Sequence, residues 1–160
     1  MRSNNMEREY RQEVIDLARV TRVMAGGKRM RFRACIAIGD EAGKVGIGIA
    51  KGADVTIAIN KASTQAKKNL VTVPMINGTI PYPVREKYGA AVVLIKPAPK
   101  GTGIKAGGSM RILFSLAGVQ NVVGKILGAN NKINNVRATV NAIKKLKYIE
   151  VKSKILKPET

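Results

Sequence analysis

The sequence predicts an α+β protein built from two units. Between residues 29 and 38, Met30, Phe32, Ala34, Ile36 and Ile38 alternate with Arg29, Arg31, Arg33, Cys35 and Ala37, the period of two that a half-buried strand requires. Residues 55–70 and 134–147 instead space their apolar residues by three and four, the period of a helix. Between these patterns Pro74, Pro81 and Pro83 interrupt the chain, so a boundary is expected near residues 71–76.

Taken in order, residues 6–16 are rich in Glu and Arg and predict a short polar helix. Val20, Val23 and Met24 then lead to Gly26-Gly27, a hairpin signal between two strand-like runs. Asp40-Glu41-Ala42-Gly43 reads as a second turn, and Lys44 to Lys51 (KVGIGIAK) as a third strand. Asp54 is placed to cap a helix in which Ile57, Ala58, Lys61, Ala62, Gln65 and Ala66 give helical spacing, with Lys67 and Lys68 at its C-terminal end, where the helix dipole favours cations. The first unit, residues 6–72, therefore reads α-β-β-β-α. In the second unit, residues 73–147, Asn77-Gly78 is a turn and Ala90 to Lys96 a buried strand. Pro97 to Gly108 is a glycine loop, Ser109 to Ala117 a helix and Val119 to Lys125 a short strand. Asn134 to Lys147 is a helix with Val136, Val140, Ile143 and Leu146 on one face, giving β-β-α-β-α before a basic tail, residues 148–160.

The charge narrows the function. Of 160 residues, 29 are Lys or Arg and 10 are Asp or Glu, for a net charge of +19. From Lys87 to Ile149 there are 63 residues with eleven cations and no carboxylate. A solvated face would mix the two signs. One sign over this length points to a polyanion, foremost the phosphates of nucleic acid. An anionic membrane fits less well, because a Trp-free, Phe-poor chain lacks the apolar anchors of an interfacial helix. With no His and one Cys, a Ser/His/Asp triad, a Cys/His pair, a structural zinc site and an internal disulfide are all excluded. No apolar run reaches the ~18 residues of a membrane span, and MRSNNMEREYRQEV at the N-terminus has no signal-like apolar core. A cytoplasmic protein is expected.

Two segments concentrate the chemistry. In Arg19 to Arg33 six of fifteen residues are basic and none is acidic, and alternation puts Arg29, Arg31 and Arg33 on one face of a strand. Guanidinium forks pair bidentately with phosphates, so this hairpin is the candidate nucleic-acid grip. Gly101 to Arg111 (GTGIKAGGSMR) is a glycine loop opening onto a helix, an arrangement able to hold an anion. Its spacing is neither G-x-x-x-x-G-K-[ST] nor G-x-G-x-x-G. A kinase would also need carboxylates for Mg²⁺ and for a base, and this stretch has none. The scattered Tyr and Phe residues form no stacking platform, so any RNA is expected to be held by its backbone and shape. Cys35 reads as packing.

These segments occur together in a recognisable order. GKRMRFRACIAIGDEAGKVGIGIAKG (Gly27 to Gly52) resembles the signature of the small-subunit ribosomal protein S5 family, and the resemblance continues through Asn77 to Thr79, Gly101 to Arg111, Leu116 to Val122 and Asn134 to Thr139. It implies an N-terminal double-stranded-RNA-binding-domain-like unit, then a small α/β unit with a left-handed βαβ crossover. It implies no enzymatic activity and no cofactor or metal. The implied partners are 16S rRNA, proteins S4 and S8, and mRNA where it enters the subunit, with no membrane and no small-molecule substrate. By position, Thr21, Arg22, Gly26, Gly27 and Lys28 resemble the family's loop beside rRNA at the neck. Arg19, Arg29, Arg31, Arg33, Lys51, Lys67 and Lys68 complete the expected rRNA-binding set. Gly103 and Arg111 resemble positions at the interface with S4 that affect translational accuracy, and Gly101, Lys105 and Gly107 are grouped with them. A free double-stranded-RNA-binding protein and a small-molecule kinase are the rival readings.

Overall fold

The computed structural model describes residues 10–146. It opens on a long antiparallel hairpin, β1 (Arg11–Met24) and β2 (Gly27–Gly39), followed by β3 (Lys44–Gly52), α1 (Val55–Lys68) and β4 (Leu70–Thr72). The second half comprises β5 (Val84–Tyr88), β6 (Ala91–Pro97), β7 (Ile104–Lys105), α2 (Gly108–Ala117), β8 (Val122–Ile126) and α3 (Lys132–Lys145). The strands form two four-stranded sheets, ordered β1-β2-β3-β4 and β5-β6-β8-β7. All neighbours are antiparallel except β7 and β8, whose parallel pairing makes β7-α2-β8 a crossover unit.

The helix expected over residues 6–16 is not formed where the chain is described: from Arg11 onward it is strand, and residues 6–9 lie outside the described residues. Glu and Arg favour a helix only weakly, and β2 offers a continuous ladder from Arg11↔Gly39 to Met24↔Gly27. A bulge between Val14 and Asp16 adjusts the register and lets Ile15 enter the main core at 7 % exposure. The other expected elements are present with shifted ends: the third helix starts at Lys132, where the Asn131 side chain accepts from the Ile133 and Asn134 amides, and the strand expected from Val119 starts at Val122. Asp54 does precede α1, but its side chain makes no capping bond; its carbonyl accepts from Ala58 N at 3.0 Å.

Packing is in four layers, α1, first sheet, α2 with α3, second sheet. One face of β2 (Ala34, Ile36, Ile38) meets Ala58, Ala62 and Ala66 of α1. The helix approaches so closely that a Cβ on Gly48 would lie 1.9 Å from the Ala62 carbonyl oxygen, and one on Gly46 2.4 Å from that of Ala66. The other face (Cys35, Ala37, with Val45 of β3) joins Phe114, Leu116, Val93, Ile95 and Ile143 in one core shared by both halves. Burial pushes the Cys35 thiol up to about 11, with Asp16 adding to the shift, so it is an inert packing group.

The halves are also joined through backbone. Asp40 Oδ1 accepts from Ala42 N and Lys44 N, folding the turn after β2. The turn then donates Glu41 N to Leu116 O at 3.0 Å and Gly43 N to Ala117 O at 2.9 Å. These satisfy carbonyls at the end of α2 that have no partner within the helix. A Cβ on Gly118, whose φ is +77°, would stand 2.0 Å from Glu41 O.

Candidate nucleic-acid interface

Register assigns every hairpin side chain to a face. Arg22 faces Arg29, Val20 faces Arg31, Ala18 faces Arg33, and Arg33 faces Lys51 on β3. Cross-strand partners lie on the same side of a sheet, so Arg22, Arg29, Arg31, Arg33 and Lys51 form one cationic surface. Val20, Thr21, Arg22, Arg29, Arg31 and Lys51 line a shallow cleft of about 280 Å³ upon it. This row of β2 is the same row that carries Cys35 and Ala37 further along the strand. Where α2 and α3 cover it, the residues are small and apolar; where the cover ends, they are Arg.

Arg33 stands on the border and behaves differently from its neighbours. Its side chain is one-third exposed and lies 3.6 Å from Asp16, which also pairs with Lys132 of α3 at 3.4 Å. Its Nε is buried without a hydrogen-bond partner. Arg33 therefore belongs to the join between the halves, with Asp16 as its anchor, while Arg22, Arg29 and Arg31 stay exposed. The hairpin tip is Ala25-Gly26, with Gly27 at φ +138° and nothing near either glycine.

The remaining expected RNA-binding residues are dispersed. Arg19 and Lys28 face Phe32 and Val23 on the opposite side of the hairpin; Thr21 pairs with Met30 on that side but also borders the cleft. Lys67 and Lys68 lie at the far end of α1: Gly52 abuts the start of that helix and Gly46 its end, a separation of ~20 Å along the strand. Lys68 instead lines a groove with Tyr88, Arg137 and Lys144, where Arg137 Nη1 donates to Tyr88 Oη at 2.7 Å. The tip is also apolar, with Val23 74 %, Met24 48 % and Met30 50 % exposed, a feature that strand alternation alone does not reveal.

The segment Gly101 to Arg111 is continuous in space but is not a cradle. Thr102 N donates to Pro99 O and Gly103 N to the Asn121 side chain, so two of its amides are used internally. Ile104 and Lys105 form β7, which the sequence reading had absorbed into the loop because a two-residue strand has no period to read. Gly101 and Gly103 take left-handed φ of +88° and +71° in open space. Gly107 caps α2, where a Cβ would meet Ile126 at 2.8 Å. Arg111, on the first turn, is exposed and donates through Nη2 to Ile104 O at 3.4 Å. Among the described residues no three His, Cys, Asp or Glu side chains gather as a metal site, and no helix is long and apolar enough to cross a membrane.

Fold and side chains together define a basic, two-sheet protein whose hairpin presents an exposed cationic face. Two family models divide the chain between them: the N-terminal domain of ribosomal protein S5 matches residues 10–74, and its C-terminal domain matches residues 86–155. The chain belongs to the ribosomal protein S5 family, a structural, non-enzymatic component of the small ribosomal subunit. It is 45 % identical over 139 residues to the Spinacia oleracea small ribosomal subunit protein uS5c, covering 86 % of this chain and 45 % of that protein. It is 42 % identical over 140 residues to uS5c of Emiliania huxleyi, covering 87 % of this chain and 88 % of that protein.

Proposed function

We propose that this chain is a structural constituent of the small ribosomal subunit that binds 16S rRNA through its hairpin. It braces the head–body region near the decoding site and the place where mRNA enters, and acts on translational accuracy through a protein interface. The observation that carries the reading is the single acid-free face of Arg22, Arg29, Arg31 and Lys51 beyond the last cover of the core. Such a face neutralises phosphates and releases their counterions. Arg33, fixed to Asp16, holds the base of this face against the second half. The proposed units are residues 6–72 and 73–147, with a basic tail, 148–160. S4 is the proposed neighbour at Gly101, Gly103, Lys105, Gly107 and Arg111, and S8 a second neighbour. The relatives' shared name supports a ribosome-bound protein of bacterial or organellar type.

The triple variant Arg22→Gln/Arg29→Gln/Arg31→Gln is expected to keep its thermal midpoint. Its salt-dependence slope for binding a 16S rRNA transcript should fall by ~2–3, about one unit per lost phosphate contact. An unchanged slope, or wild-type protein that binds RNA duplexes yet never cosediments with small subunits, would sink the reading. Accuracy on this reading is a shift between subunit states whose interfaces differ. Arg111→Glu, exposed on α2, is accordingly expected to change the misreading rate of assembled subunits in a reporter strain; an unaltered rate removes the interface role.

A further inference from the structure

From the hairpin tip inward, the β1 row on the arginine face runs Arg22, Val20, Ala18, Asp16, opposite Arg29, Arg31, Arg33 and Cys35 of β2. Asp16 is the first carboxylate this row meets, and it falls where exposed cations give way to the covered core around Cys35. The bulge in β1 puts it there. Without the extra residue the ladder from Val14↔Ile36 would set Asp16 opposite Ala34, on the α1 side of the sheet. The carboxylate serves one cation from each half: Arg33 Nη2 lies 3.6 Å from Oδ2, and Lys132 Nζ 3.4 Å from Oδ1. Both distances exceed the ~2.7–2.9 Å of a charge-assisted hydrogen bond, so Asp16 holds these cations by charge rather than in a closed fork. The Lys132 side chain is 61 % exposed and that of Arg33 33 %, so an outside anion can reach either. Lys132 is also the first residue of α3, where the helix dipole disfavours a cation and favours a carboxylate beside it.

We infer that Asp16 is a specificity-determining residue of the RNA-binding hairpin: a fixed negative charge that ends the phosphate-binding face and keeps Arg33 and Lys132 from extending it onto the junction of the halves. The inference rests on the hairpin reading above and adds the residue that limits it. An RNA phosphate approaching Arg33 or Lys132 must compete with Asp16 for the cation and also meets the repulsion of the carboxylate itself. Backbone is therefore admitted over Arg22, Arg29, Arg31 and Lys51 and turned away beyond Ala18. Phosphate contacts carry no sequence information, so two further cations would strengthen the hold on any RNA alike. Withholding them weakens binding to unrelated duplexes more than binding to an RNA whose shape fits the hairpin, and specificity is the difference between the two.

The test uses the full chain carrying Asp16→Asn, titrated with the 16S rRNA transcript and with an RNA duplex of unrelated sequence, beside the hairpin triple variant. We expect the salt-dependence slope on the unrelated duplex to rise by ~1–2, about one unit for each cation released. The affinity lost between about 50 and 200 mM salt then grows ~4–16-fold, and the preference for the transcript falls. Asp16→Glu, which keeps the charge, should retain the wild-type slope. Lys132 is exposed, so Lys132→Gln probes the same point without disturbing the core. It should leave the slope of the otherwise wild-type chain unchanged and lower that of Asp16→Asn by about one unit. An unchanged slope for Asp16→Asn, or a slope already lowered by Lys132→Gln alone, overturns this inference; a reduced slope for the hairpin triple variant in the same series leaves the hairpin reading intact. A lower thermal midpoint for Asp16→Asn with no gain on the duplex would mean that Asp16 only fastens the halves, and overturns the inference as well. Normal slopes for both Asp16→Asn and the hairpin triple variant overturn the two together.

Discussion

Two glycine-rich segments, Gly46 to Gly52 and Gly101 to Gly108, look alike in sequence and serve opposite ends. In the first, glycine is needed for what lies above it: Gly46, Gly48 and Gly52 face the Ala66, Ala62 and Ala58 turns of α1, and a Cβ at any of them would come within 2.6 Å of helix backbone. In the second, Gly101 and Gly103 have nothing near them and are needed for their left-handed φ. The same residue thus marks a close backbone approach in one place and an unusual dihedral in the other. Neither segment is a phosphate loop.

The contrast can be broken by adding one methyl group at chosen positions. Gly48→Ala should have the largest effect, because its Cβ would stand 1.9 Å from a helix carbonyl oxygen and helix and sheet must separate; a loss of ~3 kcal/mol or more, of the order of core overpacking, is expected in urea unfolding. A loss below ~1 kcal/mol would mean that α1 does not sit on bare backbone. Gly103→Ala meets no atoms, so it should cost only the strain of a left-handed alanine, ~1–2 kcal/mol. Equal losses at positions 48 and 103 would erase the distinction. Gly108→Ala, in the first turn of α2 with open space around it and an ordinary φ, should be the mildest. It is expected to be neutral or to raise stability by up to ~0.5–1 kcal/mol, since alanine loses less backbone entropy on folding; a fall in thermal midpoint would show that position 108 is crowded after all.

The elements that were legible are those with a sustained period. The alternation of residues 29–38 places Arg29 and Arg31 on one face and Phe32 on the other, as the register has it, and the helical spacing over Ile57 to Ala66 is that of α1, of which only Ala58, Ala62 and Ala66 are buried while Ile57 is exposed. Residues 11–16 were misread because their Glu and Arg content favours a helix locally, whereas a ladder with β2 and the burial of Ile15 are long-range gains. The candidate site was legible in charge but not in accessibility: Arg33 matches Arg29 and Arg31 in the sequence pattern, yet it is drawn towards Asp16, a residue 17 positions away that the bulge in β1 places beside it.

By itself, then, the sequence determined the hairpin, the spacing of the later helices, the acid-free basic stretch and the absence of histidine, because each depends on residue type and local spacing. Tertiary structure alone decided where the arginine row stops being surface, why β3 carries glycine, and how the turn after β2 closes the end of α2. These depend on how closely one backbone approaches another and on where a covering layer ends, and no local period in a chain encodes either distance. The glycines with which the comparison began show this most simply: their spacing is visible in the sequence, but the helix that requires three of them is visible only in the fold.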